Sequence, residues 1–212
     1  MVTAARVFET GSIVAVERIA GIVKIFDRDV NAVVHRRRLE RAVTEDATTL
    51  LAELSEPRKL VVEAEEHVAA SLAQGLRAPA AIADDIAFWA GVVADLCDVP
   101  LVGVRLARAE AAMCPRFHVD HVLVRVAIAY AGPGTELVAE SAVDRSKLAP
   151  NHGGADDEVS GLIREPSAIW RARTGDVVVM KGELWPADVG GVVHRSPCHT
   201  TPRLLLTLEP LG

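Results

Sequence analysis

The chain has 212 residues, half of them apolar and a quarter charged, with a net charge of −6 when histidine is counted as neutral. That length suits one domain, or one domain with a helical extension, and is enough to bury a core without covalent staples. The acidic balance argues against a nucleic-acid partner, whose phosphates call for a basic surface, and three cysteines (Cys97, Cys114 and Cys198) are too few for a disulfide framework and fit a reducing compartment.

From the N-terminus, no uninterrupted apolar run follows a basic start, so no signal peptide is expected. No stretch approaches the roughly 20 apolar residues of a membrane span, and a cytoplasmic chain is the default. Residues Ile13 to Phe26 are apolar but aperiodic and stay unassigned. Asp29 to Val34 reads as a short strand, and the basic run His35-Arg36-Arg37-Arg38 as a solvated helix start. Leu39, Val43, Ala47, Leu50 and Leu54 recur at helical spacing, and Pro57 closes that helix. Lys59 to Val62 is a strand candidate and Glu65 to Leu76 a helix. Ile82, Ile86, Trp89, Val93 and Leu96 form an amphipathic stripe over Ala80 to Cys97.

Beyond residue 100 the pattern changes to short β-like runs between turn residues. Leu101 to Ala107 and Val119 to Ala129 read as strands, the second ending at the turn Tyr130-Ala131-Gly132-Pro133-Gly134. Asp144 to Glu165 is a polar loop long enough to act as a lid. Asp176 to Met180, Val192 to His194 and Leu204 to Leu208 are further strands. Many short strands with Gly and Pro turns point to a barrel or sandwich.

His118 and Asp120 are two residues apart, and on a strand such residues share a face. A third ligand from a distant strand, His194, would complete a facial set of two imidazoles and one carboxylate, which leaves coordination positions open on iron(II). A rival set is Cys114, His118, His194 and Cys198, a closed zinc site in a protein that does no chemistry. Four residues of extended strand cover about 13 Å, too far for zinc bonds of roughly 2.0–2.3 Å unless Pro115 and Pro197 fold the chain back. His121 and His199 flank the candidate ligands and His152 lies in the loop; a solvent or core role is expected for each. Glu136 and Glu183 are acidic residues near turns that would come close to such a site.

The order His118-x-Asp120, a long insertion, the Gly175-Asp176 turn and strand, His194, and then Arg203 opening a strand resembles the iron(II)- and 2-oxoglutarate-dependent dioxygenase superfamily. The resemblance implies that Arg203 holds the distal carboxylate of 2-oxoglutarate, a role that suits a planar guanidinium. Tyr130 is a second candidate for contact with that co-substrate. The segments Cys114 to Asp120, Tyr130 to Glu136, Lys181-Gly182-Glu183 and His194 to Pro197 more closely resemble the uncharacterised bacterial family named domain of unknown function 1826, which implies a loose link to metal homeostasis.

The expected fold is therefore α+β, one domain over residues 1–212. Its 1–98 part is mainly helical, and its 99–212 part is a double-stranded β-helix, a cupin-like jelly roll that binds the metal. The expected function is an iron(II)- and 2-oxoglutarate-dependent oxygenase of the hydroxylase type, acting on a small-molecule or peptide substrate. The alternative is a non-catalytic zinc-binding protein linked to metal homeostasis.

Overall fold

The computed structural model describes residues 8–63, 68–148, 156–157, 159–186, 189–198 and 200–212. Its strands are β1 (Phe8–Thr10), β2 (Ile13–Val16), β3 (Ala32–His35), β4 (Arg58–Glu63), β5 (Leu101–Ala109), β6 (Val124–Ala131), β7 (Glu136–Val138), β8 (Ile169–Arg171), β9 (Val177–Lys181), β10 (Val193–Arg195) and β11 (Arg203–Leu211). Its α-helices are α1 (Arg41–Glu53), α2 (Val68–Gly75) and α3 (Ala80–Cys97). Eight strands form one sheet in the order β1-β2-β3-β9-β6-β11-β5-β4, antiparallel except for the β2–β3 pair. Strands β10, β7 and β8 form a second, antiparallel sheet.

Side-chain alternation along each strand splits the large sheet into two faces. Val102, Val104 and Leu106 of β5, Val126 and Ile128 of β6, and Leu204, Leu206 and Leu208 of β11 pack with the helices. The intervening Ala127, Leu205, Val178 and Met180 pack instead with Leu137, Ala139, Ala172 and Val192, from the small sheet and its flanks. The molecule is thus layered: helices, large sheet, small sheet. A break in register between Leu204 and Leu205 leaves Tyr130 as the extra residue of β6. Tyr130 shares the parity of Val126 and Ile128 and so lies on the helix side, where it is fully buried.

Helix α3 spans the stretch its stripe marks, burying Ile82, Ile86, Trp89, Ala90 and Val93 on one face. It ends at Asp98, whose φ of 52° is left-handed and cannot continue a right-handed helix. Asp46 on α1 accepts from the Ile82 backbone N–H at 3.1 Å, which satisfies a donor with no partner inside its own helix.

Several sequence expectations need correction. The part before residue 98, expected to be mainly helical with strands at 29–34 and 59–62, carries β3 and β4 there and two further strands, β1 and β2, so that it supplies four of the eight strands of the large sheet. The unassigned stretch Ile13 to Phe26 is β2 followed by a 3-10 helix, Ile19–Phe26. The run from His35 does not open a solvated helix. His35 is buried at the end of β3, and Arg37 lies in the polar centre of the helix–sheet interface. There Arg37 donates to both oxygens of Asp85 at 2.5 and 2.8 Å and to the Gly175 carbonyl at 2.9 Å. Tyr130 donates to the same Asp85 at 2.6 Å. No described helix is long and apolar enough to cross a membrane.

Removing one partner from a part-buried charged network strands the others. Asp85→Ala is expected to destabilise the fold by about 3 kcal/mol. A urea titration checks this: the midpoint falls while the slope stays constant, and an unchanged midpoint would show that Asp85 does not hold α3 to the sheet.

Candidate metal centre

His118 and His194 face each other across an antiparallel bridge. Each backbone N–H donates to the other residue's carbonyl at 3.0 Å. The pair joins the segment leading into β6 to β10 of the small sheet, so one contact ties the two sheets at this end. The imidazole centroids are 4.6 Å apart. The Nδ1 of His118 lies 2.8 Å from the Arg116 carbonyl, and that of His194 lies 3.1 Å from the Val192 carbonyl. A carbonyl only accepts, so each Nδ1 carries the hydrogen and each Nε2 is left for other work.

Both Nε2 atoms point to Asp120, at 3.4 Å from Oδ1 for His118 and 3.1 Å from Oδ2 for His194. Among the described residues these three form the group able to hold a metal ion, with ligand atoms all within 4.8 Å of one another. The route to this convergence differs from the expected one. Val119 to Ala129 is not one strand: β6 starts at Val124, and Asp120 lies in the connection before it. What holds Asp120 is a set of backbone bonds to the turn after β9. The Gly182, Glu183 and Leu184 N–H groups donate to the carbonyls of Leu123, Asp120 and Val122 at 2.9, 2.8 and 3.1 Å. Gly182 lies so close that a Cβ would sit 2.0 Å from the Val122 carbonyl oxygen. That approach gives Lys181-Gly182-Glu183 a structural purpose.

Two charged residues that the sequence reading missed complete the surroundings. Arg125 places Nη1 2.6 Å from Asp120 Oδ2, and its Nε donates to Glu209 at 2.8 Å. The available signal was a charge at an inward position of an apolar alternating strand, Val124-Arg125-Val126 on β6 and Leu208-Glu209 on β11. Burial works to raise the Asp120 carboxyl. When the rings are protonated, hydrogen bonds from the Nε2–H of His118 and His194 and the His194 charge, together with the charge of Arg125, outweigh it and hold Asp120 well below the usual carboxylate range. The hydrogen bond to Asp120 raises His118 against the opposing effect of its burial.

A cavity of about 400 Å³ opens over the two histidines, lined also by Arg125, Thr135, Met180, Leu205 and Thr207. Arg203 lies on β11 two residues before Leu205 and so on the same face. It is fully buried, and its Nε, Nη1 and Nη2 have no hydrogen-bond partner. Burial lowers its pKa to about 10, so it stays cationic at neutral pH. Gly132, at φ +75°, packs against it: a Cβ there would meet Arg203 Cγ at 2.7 Å.

The other candidates fall elsewhere. Tyr130 is on the opposite face of the large sheet from the cavity, with its hydroxyl bound to Asp85, so it makes no co-substrate contact. Cys114 lines the cavity but, like Cys198, is exposed and outside the ligand group, so the two-Cys, two-His set is not assembled. His121 pairs with Glu183 at 2.8 Å on the surface. Glu136 is taken up by Arg171 and Arg195, both at 2.8 Å. His152, His199 and residues 149–155 and 158 of the expected lid lie outside the described residues.

The fold is shared with dioxygenases of known structure. AtDAO1, dioxygenase for auxin oxidation 1 from Arabidopsis thaliana, in its 2-oxoglutarate binary complex, aligns over 96% of this chain and 93% of its own at a TM-score of 0.55 and 9% identity. The Fe(II)/α-ketoglutarate-dependent dioxygenase TqaL aligns over 88% of this chain and 83% of its own at 0.50 and 11%. A prolyl 4-hydroxylase from Phytophthora capsici aligns over 90% of this chain and 61% of its own, also at 0.50 and 11%. No curated protein sequence matches. Residues 17–209 match the family described as "Protein of unknown function (DUF1826)", and the chain belongs to that family.

Two substitutions separate the structural claims. Gly182→Ala forces the Asp120 segment to move and is expected to weaken divalent-metal binding at least about tenfold with the fold retained, because the lost geometry acts through a ligand's support. Competition with a chromogenic chelator reads this directly, and wild-type affinity in a folded variant would refute the role given to Gly182. Tyr130→Phe should cost about 1 kcal/mol of stability and leave 2-oxoglutarate affinity unchanged by calorimetry.

Proposed function

We propose that this chain is an iron(II)- and 2-oxoglutarate-dependent oxygenase of the hydroxylase type. On this reading its two sheets are the halves of a double-stranded β-helix, or jelly roll. His118, Asp120 and His194 are the metal ligands, and Arg203 is the anchor for the co-substrate. The observation that carries the reading is the Arg203 guanidinium: fully buried, cationic, and with three nitrogens lacking partners on the cavity face of β11. An unpaired buried charge is costly and calls for a counter-ion. A carboxylate from a bound dicarboxylate supplies it, and the fork of N–H donors suits such a group. A zinc-buffering protein has no use for this cation.

The donor set fits a non-haem iron. Two neutral imidazoles and one carboxylate leave positions open for an oxo-acid co-substrate and oxygen. When bound, iron(II) and 2-oxoglutarate together supply oxidative hydroxylation of a C–H bond. The protein's own contributions are positional. The Arg116 and Val192 carbonyls fix the imidazole tautomers, Arg125 steadies one oxygen of Asp120, and the Gly182 turn holds the Asp120 segment. Met180, Leu205 and Ala127 give the cavity apolar walls that limit water around the reacting carbon. The substrate is a small molecule or a peptide side chain.

Anaerobic protein loaded with iron(II) should develop a weak visible charge-transfer band when 2-oxoglutarate is added. Asp120→Ala should lose the metal and the band together. Arg203→Gln should retain iron but bind 2-oxoglutarate about a hundredfold more weakly, in line with loss of a charge-assisted bidentate contact. Full iron occupancy in Asp120→Ala, or undiminished 2-oxoglutarate affinity in Arg203→Gln, would sink the assignment.

A further inference from the structure

The small sheet does not cover the whole face of the large one. Beyond β11, the site-side faces of β5 and β4 are open: Val61 is 56% exposed there, beside Gly103 and Arg105. A second cavity of about 380 Å³ runs over this open face, lined by Lys59, Val61, Gly103, Arg105, Thr207 and Glu209 among others. Arg105, Thr207 and Glu209 also line the cavity over His118 and His194, so the two spaces adjoin.

The charges on this ledge are not balanced. Lys59 of β4 and Arg105 of β5 are direct cross-strand partners, and Arg105 is in turn opposite Thr207 of β11. Two like charges facing each other across a strand pair repel. Neither is shown with a carboxylate partner among the described residues; the contact of the Arg105 guanidinium is to the Met113 sulfur at 3.7 Å. Of the carboxylates on this face, Glu209 is committed to Arg125, and Glu63 lies at the far end of β4, four residues from Lys59. Thr207 adds a hydroxyl between Arg105 and the metal cavity.

We propose that Lys59 and Arg105 form a substrate subsite for an oxyanion, a carboxylate or a phosphate, so that the oxygenase acts on a small anionic molecule. The anion neutralises the facing cations, Thr207 donates to it, and the rest of the molecule lies over Thr207 and Ala127 toward the metal. Arg105 and Ala127 face each other across Thr207 of β11, two strand spacings or about 10 Å apart. That this subsite serves a substrate rests on the function proposed above; the anion site itself rests on the geometry of β4, β5 and β11.

Metal-free protein titrated with inorganic phosphate, and separately with acetate, tests the anion site by calorimetry. Arg203→Gln serves as the background, so that the buried guanidinium does not contribute. At least one anion should bind, and adding Arg105→Gln or Lys59→Gln should each weaken it about tenfold, as expected for loss of a hydrogen bond to a charged group. Arg41→Gln, which removes the same charge from an exposed helix position, should leave it unchanged. Phosphate preferred over acetate, or the reverse, identifies which oxyanion the substrate carries. No binding of either at tens of millimolar, or equal weakening in the Arg41 control, overturns the proposal. Manganese(II) then separates the two ideas. Relaxation of the bound anion by manganese puts the subsite beside the metal. Failure of manganese to bind, with anion binding intact, counts against the oxygenase reading and leaves the anion site standing.

Discussion

The candidate metal centre depends on one backbone contact, the reciprocal pair of hydrogen bonds between His118 and His194. It is the point where the segment feeding β6 of the large sheet meets β10 of the small one. Because the residues are directly opposite, their imidazoles emerge side by side, and each ring is fixed by the carbonyl two residues before it. The same contact that closes the two layers thus aims both Nε2 atoms at one spot. Asp120 needs only to be brought beneath them, which the Gly182 turn does through three backbone bonds.

Around this centre the polar groups separate into satisfied and unsatisfied sets. Arg37, Asp85 and Tyr130 satisfy one another between the helices and the large sheet, and so do Arg195, Glu136 and Arg171 at the edge of the small sheet. These networks hold layers together, their charges paired within the protein. Arg203 is the opposite: its guanidinium is as deeply buried as the Tyr130 ring and has no partner for any of its nitrogens. Gly132, which leaves room for its stem, shows that the surrounding chain is shaped to admit it. An arginine kept in such a place at a cost to stability is better explained by a ligand than by packing.

The sequence made parts of this visible, for identifiable reasons. Long periodic segments such as Ala80 to Cys97 declared themselves because their burial follows the helix period. His118, Asp120, His194 and Arg203 were legible because few residue types carry metal and carboxylate chemistry and their order is informative. Asp120 nevertheless reaches His118 by another route than a shared strand face, because the chain there makes a connection held from outside by Gly182. Tyr130 was expected to open a turn, but β6 runs on through Ala131, and alternation then puts Tyr130 with Val126 and Ile128 on the helix side, away from the cavity. The strands before residue 98 were hard to weigh because β1, β2 and β3 are only three or four residues long and join the sheet through long-range pairing with β9.

Arg125 has the same origin and the largest consequence. It interrupts an apolar strand, and its cost is met by two carboxylates, Asp120 and Glu209, which would otherwise repel each other within the cavity wall. Its Nη1 lies 2.6 Å from Oδ2 of Asp120, so that in the proposed function Oδ1 is the oxygen with the freer approach to a metal. The inner charges then balance in a particular way. Asp120, Glu209 and Arg125 leave one negative charge, and Arg203 supplies one positive charge some distance along β11. In the proposed reading, a divalent cation placed among the first group and a dianion bridging to Arg203 arrive together without changing the total, whereas either alone leaves a buried excess. Metal and co-substrate binding should therefore reinforce each other, and the coupling is built into the inward face of two strands, β6 and β11, rather than into the ligands alone.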